Sequence, residues 1–340
     1  MPGRTGSISD VQPDESRDDV LVLQMSGPTA SDHLVLGAAT SYELAEVMPF
    51  VRSLRRTGYA GHVALLVDVL RPESRQALQA MGVELITVTE QWRARSRWQG
   101  LRRSAARLQL LASWCGTSRA WGEPDPTQRR LRRNRSVVPF HHISSGRYFY
   151  YYDYLVRQPV RFDRVMLTDV RDVLFQEDPF AFKPPQPLLF FLEGRGQPIG
   201  TEPYNRKWVR QLYGRRVLRS LADQRIVCSG VTIGQGHAIL RYLELMCDEL
   251  APLTSRMCGR VGRDQGVHNY LIWRNRFPEA ALLENGRGPV LTMDIVAFER
   301  LRGAPDGALL NDDGSRVAVV HQYDRHTGCA EQLLRQLAGE

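Results

Sequence analysis

From His33 the chain alternates short apolar runs with amphipathic stretches. His33-Leu-Val-Leu-Gly-Ala-Ala-Thr40 is almost wholly apolar, the pattern of a strand buried on both faces. Tyr42 to Arg56 places Leu44, Val47, Met48, Val51 and Leu54 on one stripe, which predicts a helix ended by Gly58 and Gly61. His62-Val-Ala-Leu-Leu-Val67 predicts a second strand, Pro72 to Met81 a helix with proline in its first turn, and Val83 to Val88 a third strand. Strands and helices in this rhythm predict a mainly parallel sheet covered by helices, with ligands at the carboxyl ends of the strands.

The rhythm breaks over residues 91–135, where arginines from Arg93 to Arg135 are interleaved with Trp92, Trp98, Trp114 and Trp121. This stretch reads as an insertion or lid, with a helix from Leu101 to Trp114 and a loop from Gly116 to Pro126. The pattern then resumes. Helices are predicted over His142–Val156, His237–Leu250 and Asp264–Trp273. Strands are predicted over Arg164–Thr168, Pro187–Leu192, Arg225–Ile233, Pro289–Thr292 and Arg316–Val320, with a glycine- and proline-containing loop from Gly194 to Asn205. Residues 1–32 are polar without a period and read as a flexible tail; 33–327 read as one domain and 328–340 as a C-terminal tail.

The chain has 340 residues, 43% hydrophobic and 24% charged, ordinary values for a globular protein. No apolar run is long enough for a transmembrane helix, and the first residues lack the apolar core of a signal peptide. The five cysteines are scattered, with no Cys-x-x-Cys, which argues against a disulfide framework and against structural zinc. A cytoplasmic location is the expectation. The net charge of +8 is almost all arginine, since Lys183 and Lys207 are the only lysines. Such a surface favours anionic ligands.

Four stretches carry candidate chemistry. In Leu167-Thr-Asp-Val-Arg-Asp-Val-Leu-Phe175 an apolar strand delivers Asp169 and Asp172 at its end. Two carboxylates so placed suit a hard divalent cation such as Mg2+ beside a substrate phosphate. Read alone, they fit a surface turn equally well, with Asp172 paired to Arg171. Ile226-Val-Cys-Ser-Gly-Val-Thr-Ile233 is either a strand with a glycine bulge or a binding strand. Asp264 in Arg263-Asp-Gln-Gly266 is either a helix cap or a site residue. Val319-Val-His-Gln-Tyr-Asp-Arg-His326 offers two histidines, His321 and His326.

The order and spacing of these stretches resemble the glycosyltransferases of the GT-A fold, above all the retaining families that include glycogenin, the lipopolysaccharide galactosyltransferases and plant cell-wall enzymes. Asp172 matches the second aspartate of their Asp-x-Asp motif, and Asp178-Pro179 a later Asp-Pro. Val170 stands where the first aspartate would be, and Cys228 where asparagine is usual. The resemblance implies a metal-dependent transferase moving a sugar from a nucleotide-diphosphate donor, UDP-sugar favoured, to an acceptor hydroxyl with retention. It implies Mn2+ or Mg2+ on Asp172, His321 and Asp169. It implies catalytic or orienting roles for Asp264, Gln265 and Arg147, and donor contacts from Thr40, Tyr42, Asp169, Arg171, Ser229 and Gly230.

Two other readings compete. A nucleic-acid-binding protein would use the segment from Arg93 to Arg135, whose arginine and tryptophan suit phosphates and bases. No recognised binding module accompanies that segment, and contact with an acceptor or an anionic membrane surface is the preferred use for it. A non-catalytic sugar-nucleotide binder, or a nucleotidyltransferase-like enzyme, would share the sheet. The latter usually has a glycine-rich phosphate loop after the first strand, which Ser41-Tyr-Glu-Leu44 does not supply.

Overall fold

The computed structural model describes residues 32–88, 125–159, 161–194, 197–252, 260–293 and 301–338, together with Ser104 and Leu108. The expectations for residues 1–31 and for most of the insertion lie outside the described residues. The strands in chain order are β1 (His33–Ala38), β2 (His62–Val67), β3 (Val83–Thr87), β4 (Arg164–Asp169), β5 (Val173–Phe175), β6 (Leu188–Leu192), β7 (Val227–Gln235), β8 (Ala280–Leu283), β9 (Val290–Thr292), β10 (Arg302–Gly303), β11 (Leu309–Leu310) and β12 (Val319–His321). The described helices are α1 (Leu44–Arg56), α2 (Pro72–Ala80), α3 (Pro126–Val137), α4 (Ile143–Arg157), α5 (Pro203–Leu221), α6 (Gly236–Leu250), α7 (Arg263–Trp273) and α8 (Thr327–Ala338).

Seven strands form one sheet in the order β3-β2-β1-β4-β7-β6-β8. All neighbours pair in parallel except at β7, which runs antiparallel to both β4 and β6. The alternating pattern predicts the parallel part of this sheet, and the antiparallel β7 makes it the mixed, mainly parallel sheet that the resemblance implies. Successive side chains of a strand point to opposite faces, and both faces here are buried. Leu34 and Leu36, Val165 and Leu167, and Leu188 and Phe190 join one core with α4, α6 and α7. Val35, Met166 and Leu189 join the other with α1 and α2. The tyrosine stripe of α4, Tyr148, Tyr151 and Tyr152, is core packing. No helix among the described residues is long and apolar enough to cross a membrane.

A second sheet, β5-β12-β9, continues from the carboxyl end of β4. The structure also adds elements that the hydrophobic pattern does not predict. The stretch expected to be loop up to Asn205 turns helical at Pro203, where the Glu202 carboxylate accepts hydrogen bonds from the Tyr204 and Asn205 amides. The stretch expected as a C-terminal tail carries α8, which buries Leu333. The strand expected over Arg316–Val320 is confined to β12 and reaches His321.

Candidate active site

β4 ends at Asp169 and the chain turns through Val170 and Arg171 into β5. Val170 is buried against Gly37; a Cβ on that glycine would lie 2.5 Å from the valine side chain. The carboxylates flanking this anchor converge on His321, which β12 brings alongside by pairing antiparallel to β5 and parallel to β9. One oxygen each of Asp169 and Asp172 and one ring nitrogen of His321 lie within 4.8 Å of one another.

The environment of His321 decides which nitrogen faces the acids. Nδ1 lies 3.4 Å from Cys228 Sγ and 3.4 Å from Thr292 Oγ1. Nε2 is 3.5 Å from Asp169 Oδ2 and is buried with no hydrogen-bond partner. Two carboxylates and one orphaned imidazole nitrogen fit a divalent cation such as Mn2+ or Mg2+. His326 lies apart from this cluster, with Nε2 2.9 Å from the Met293 carbonyl. Gly230 is what lets the histidine in. A Cβ there would lie 2.5 Å from His321 Nε2, closer still to Cε1, and 2.7 Å from Asp169 Oδ2. The glycine expected to admit a sugar is therefore packed against the histidine and the aspartate.

Arg147 on α4 clamps the site from behind. Its Nη1 donates to Asp169, and its Nη2 lies 3.3 Å from both Asp264 Oδ2 and the Ser229 carbonyl. A planar guanidinium suits several acceptors at once. Burial works against the charge on Asp169, but Arg147 and then His321 overcome it and hold this carboxyl below its ordinary range. Asp172 goes the other way: burial pushes it up, and Asp169 adds to the effect while His321 opposes it. Burial also raises Asp264, against Arg147. Burial disfavours a charged His321, yet Cys228 and Asp169 favour it, and its pKa lies well above the ordinary histidine value.

Ser229 and Gly230 reach the site because β7 bulges there. Phe190 pairs with Thr232 but Phe191 with Cys228, so the residues between leave the regular register with β6. Gln265 holds that bulge: its Oε1 accepts from the Ser229 amide at 2.8 Å, and its Nε2 donates to Glu193 Oε1 at 2.7 Å. Asn269, one turn along α7, bonds both the amide and the carbonyl of Val227 at 2.9 Å. The N-cap of α7 is Gly262, so Asp264 sits in the first helical turn and spends a carboxylate oxygen on Arg147; its Oδ1 is buried without a partner.

Thr40 and Tyr42 lie beyond the carboxyl end of β1. The chain turns there through Ser41, whose φ is 63° and whose amide donates to Asp68 Oδ1 at 2.8 Å. Thr40 is buried and Tyr42 half-buried. The Tyr42 phenol is raised first by burial and then by Asp169 and Asp172, so it sits in the field of the acid pair. Arg171, expected as a donor contact, pairs with Asp324 at 3.0 Å. The pattern reading did not single out Glu193, Asn269 or Thr292. Glu193 had a visible signal, a charge closing an apolar strand, as Asp169 closes β4. In the described part of the arginine-rich stretch, Arg130 and Arg133 pair with Asp248, and Arg130 also with Glu244, fastening α3 to α6.

No protein-family model matches the chain, and no curated protein does. Among solved structures the chain is similar to the galactosyltransferase LgtC in complex with donor and acceptor sugar analogs, at 15% identity, 90% of this chain, 95% of that chain and a TM-score of 0.49. It is similar also to an active-site mutant of LgtC, at 14% identity, 90% and 95% coverage and a TM-score of 0.48.

Proposed function

We propose that the chain is a GT-A glycosyltransferase that moves a sugar from a nucleotide diphosphate, UDP favoured, to an acceptor hydroxyl. The observation that carries this is the convergence of Asp169, Asp172 and the orphaned Nε2 of His321 at the carboxyl end of β4, beside the buried Arg147–Asp264 pair. Asp169, Asp172 and His321 would hold Mn2+ or Mg2+, which when bound neutralises the diphosphate and eases its departure. Arg147 keeps Asp169 ionised and aims Asp264 at the site. The unpartnered Asp264 Oδ1 is an acceptor suited to a sugar hydroxyl. Gln265 fixes the Ser229 bulge beside it.

Retention is the reading best supported. In this reading Asp264 spends Oδ2 on Arg147 and offers Oδ1 to the donor sugar, while Glu193 holds Gln265, so both carboxylates serve to position donor and strand. Incubation with Mn2+ or Mg2+ and a panel of nucleotide sugars tests the proposal. Donor hydrolysis or transfer is expected, abolished by chelator and by Asp172→Ala. Metal-independent activity, or an unchanged rate in Asp172→Ala, overturns the metal role; no turnover and no nucleotide-induced thermal shift with any donor overturns the transferase.

A further inference from the structure

α5 carries six cations and no acidic residue. Arg206, Lys207 and Arg210 are repeated as Arg215, Arg216 and Arg219, the same i, i+1, i+4 spacing on either side of Gly214. Gly214 has φ 84° and breaks the helix into two segments. Within each segment that spacing puts the three cations on one stripe. All six are exposed, and among the described residues none makes an ion pair. This is unlike α3, where Arg130, Arg133 and Arg135 all find carboxylates. Like charges four residues apart oppose the helix that bears them.

The opposite side of α5 is fastened. Asn205, Val209 and Leu221 are buried, and Trp208 lies against Gly262 and Gly266 so closely that a side chain at either would clash with it or with Leu212. Arg263 Nη2 donates to Gln211 Oε1 at 2.7 Å. The cationic stripe therefore stands on a helix packed against α7, whose first turn holds Asp264 and Gln265. At the same end two apolar side chains face solvent: Tyr204 is 65% and Val261 62% exposed. Tyr204 rests against Trp208, ring centroids 5.9 Å apart.

We propose that the exposed face of α5 docks the protein on an anionic lipid bilayer. Six unpaired cations complement a layer of acidic headgroups, and each Lys or Arg near such a surface strengthens partitioning about fivefold. The aromatic and aliphatic side chains at one end are what a membrane interface accepts and a phosphate backbone does not need. This goes beyond the transferase reading and is measured without donor or turnover.

The test is sedimentation of the full chain with vesicles of phosphatidylcholine alone or with 30 mol% phosphatidylglycerol (about one lipid in three), at low and high salt. Binding is expected only to the acidic vesicles and is lost at high salt. R206Q/K207Q/R210Q and R215Q/R216Q/R219Q should each weaken it by about 10²-fold, and Tyr204→Ser should weaken it further at fixed salt. The control R52Q/R56Q/R71Q removes the same charge from α1 and the residue before α2 and should bind as the parent does. Circular dichroism melts check that the variants fold. Absence of binding to acidic vesicles, equal loss in the control, or full binding with all six α5 cations removed overturns the proposal. So does tight binding to single-stranded RNA with no vesicle binding, which would make this a nucleic-acid face.

Discussion

Adding one methyl group at Gly230 is the sharpest probe of the site. The new Cβ would stand 2.5 Å from His321 Nε2 and 2.7 Å from Asp169 Oδ2, where ordinary contacts lie near 3.5 Å. One of the two must retreat by about 1 Å. His321 has little room, since its other edge is against Cys228 and Thr292. Asp169 is held by Arg147. Overpacking of this kind costs about 1–3 kcal/mol of stability, while a 1 Å misplacement in a reacting constellation costs about 10²-fold in rate. Gly230→Ala is therefore expected to fold, to lose a few degrees of melting temperature, and to lose about two orders of magnitude in metal-dependent turnover. Turnover on the donor panel and a thermal melt with and without Mn2+ measure both. Gly303→Ala is the control, because nothing lies within 4 Å of a Cβ there. A Gly230→Ala protein as active as the Gly303→Ala control would refute the packing of His321 and Asp169 around the glycine.

Arg147→Lys keeps a charge but replaces a fork that serves Asp169, Asp264 and Ser229 with a single point, and activity should fall about 10²-fold. Arg147→Ala leaves buried carboxylates unbalanced, and denaturant melts should show a loss of about 3–5 kcal/mol. Glu193→Ala releases the Gln265 amide and should lower turnover at least tenfold, by about 1.4 kcal/mol in barrier, while Glu193→Gln restores most of it; equal activity in both variants would remove Glu193 from the site. His268, buried against Tyr242 at 2.8 Å, is pushed down to about 3 by burial, with Arg147 adding to the effect. Below about pH 6.5 the unfolded chain takes up a proton that the folded chain refuses until about pH 3. Stability should therefore fall with acidity by up to about 1.4 kcal/mol per pH unit. His268→Gln should flatten that slope between pH 5 and 6.5, and an unchanged slope would count against the assignment.

The inner strands of the central sheet were legible because they are buried on both faces, whereas edge strand β8, half-buried throughout, was not predicted. Runs such as His33–Ala38 and Leu188–Leu192 have no polar alternation to confuse them with edge strands. α5 was illegible for the opposite reason: six cations and Gly214 leave too few apolar positions to mark a period, and its fastening depends on α7. β5 is three residues long and takes shape only by pairing with β12. Among the candidate site residues, Asp169, Asp172, Arg147, Asp264 and His321 were singled out through the order of short motifs, and the structure brings their side chains together. The geometry changes their weights. Asp169, which lies one position before the usual aspartate, proves to be the residue that touches both Arg147 and His321. Arg171 turns to Asp324 instead. No local pattern reports such pairings, since each partner arrives from a distant part of the chain.

The small sheet has a consequence for how the site comes into being. β5 follows directly on β4, but β12, the strand that supplies His321, belongs to a far later stretch of chain. Closing so long a loop is a slow entropic step. Until β12 slots between β5 and β9, the two carboxylates stand without their histidine, two like charges with no imidazole between them. A cation binding only the closed arrangement would act as a clasp between the two sheets, worth about 2.7 kcal/mol at a hundredfold excess over its dissociation constant. The ion would then be an ingredient of assembly as well as of chemistry, and a refolding chain would become competent at the moment its second sheet shut.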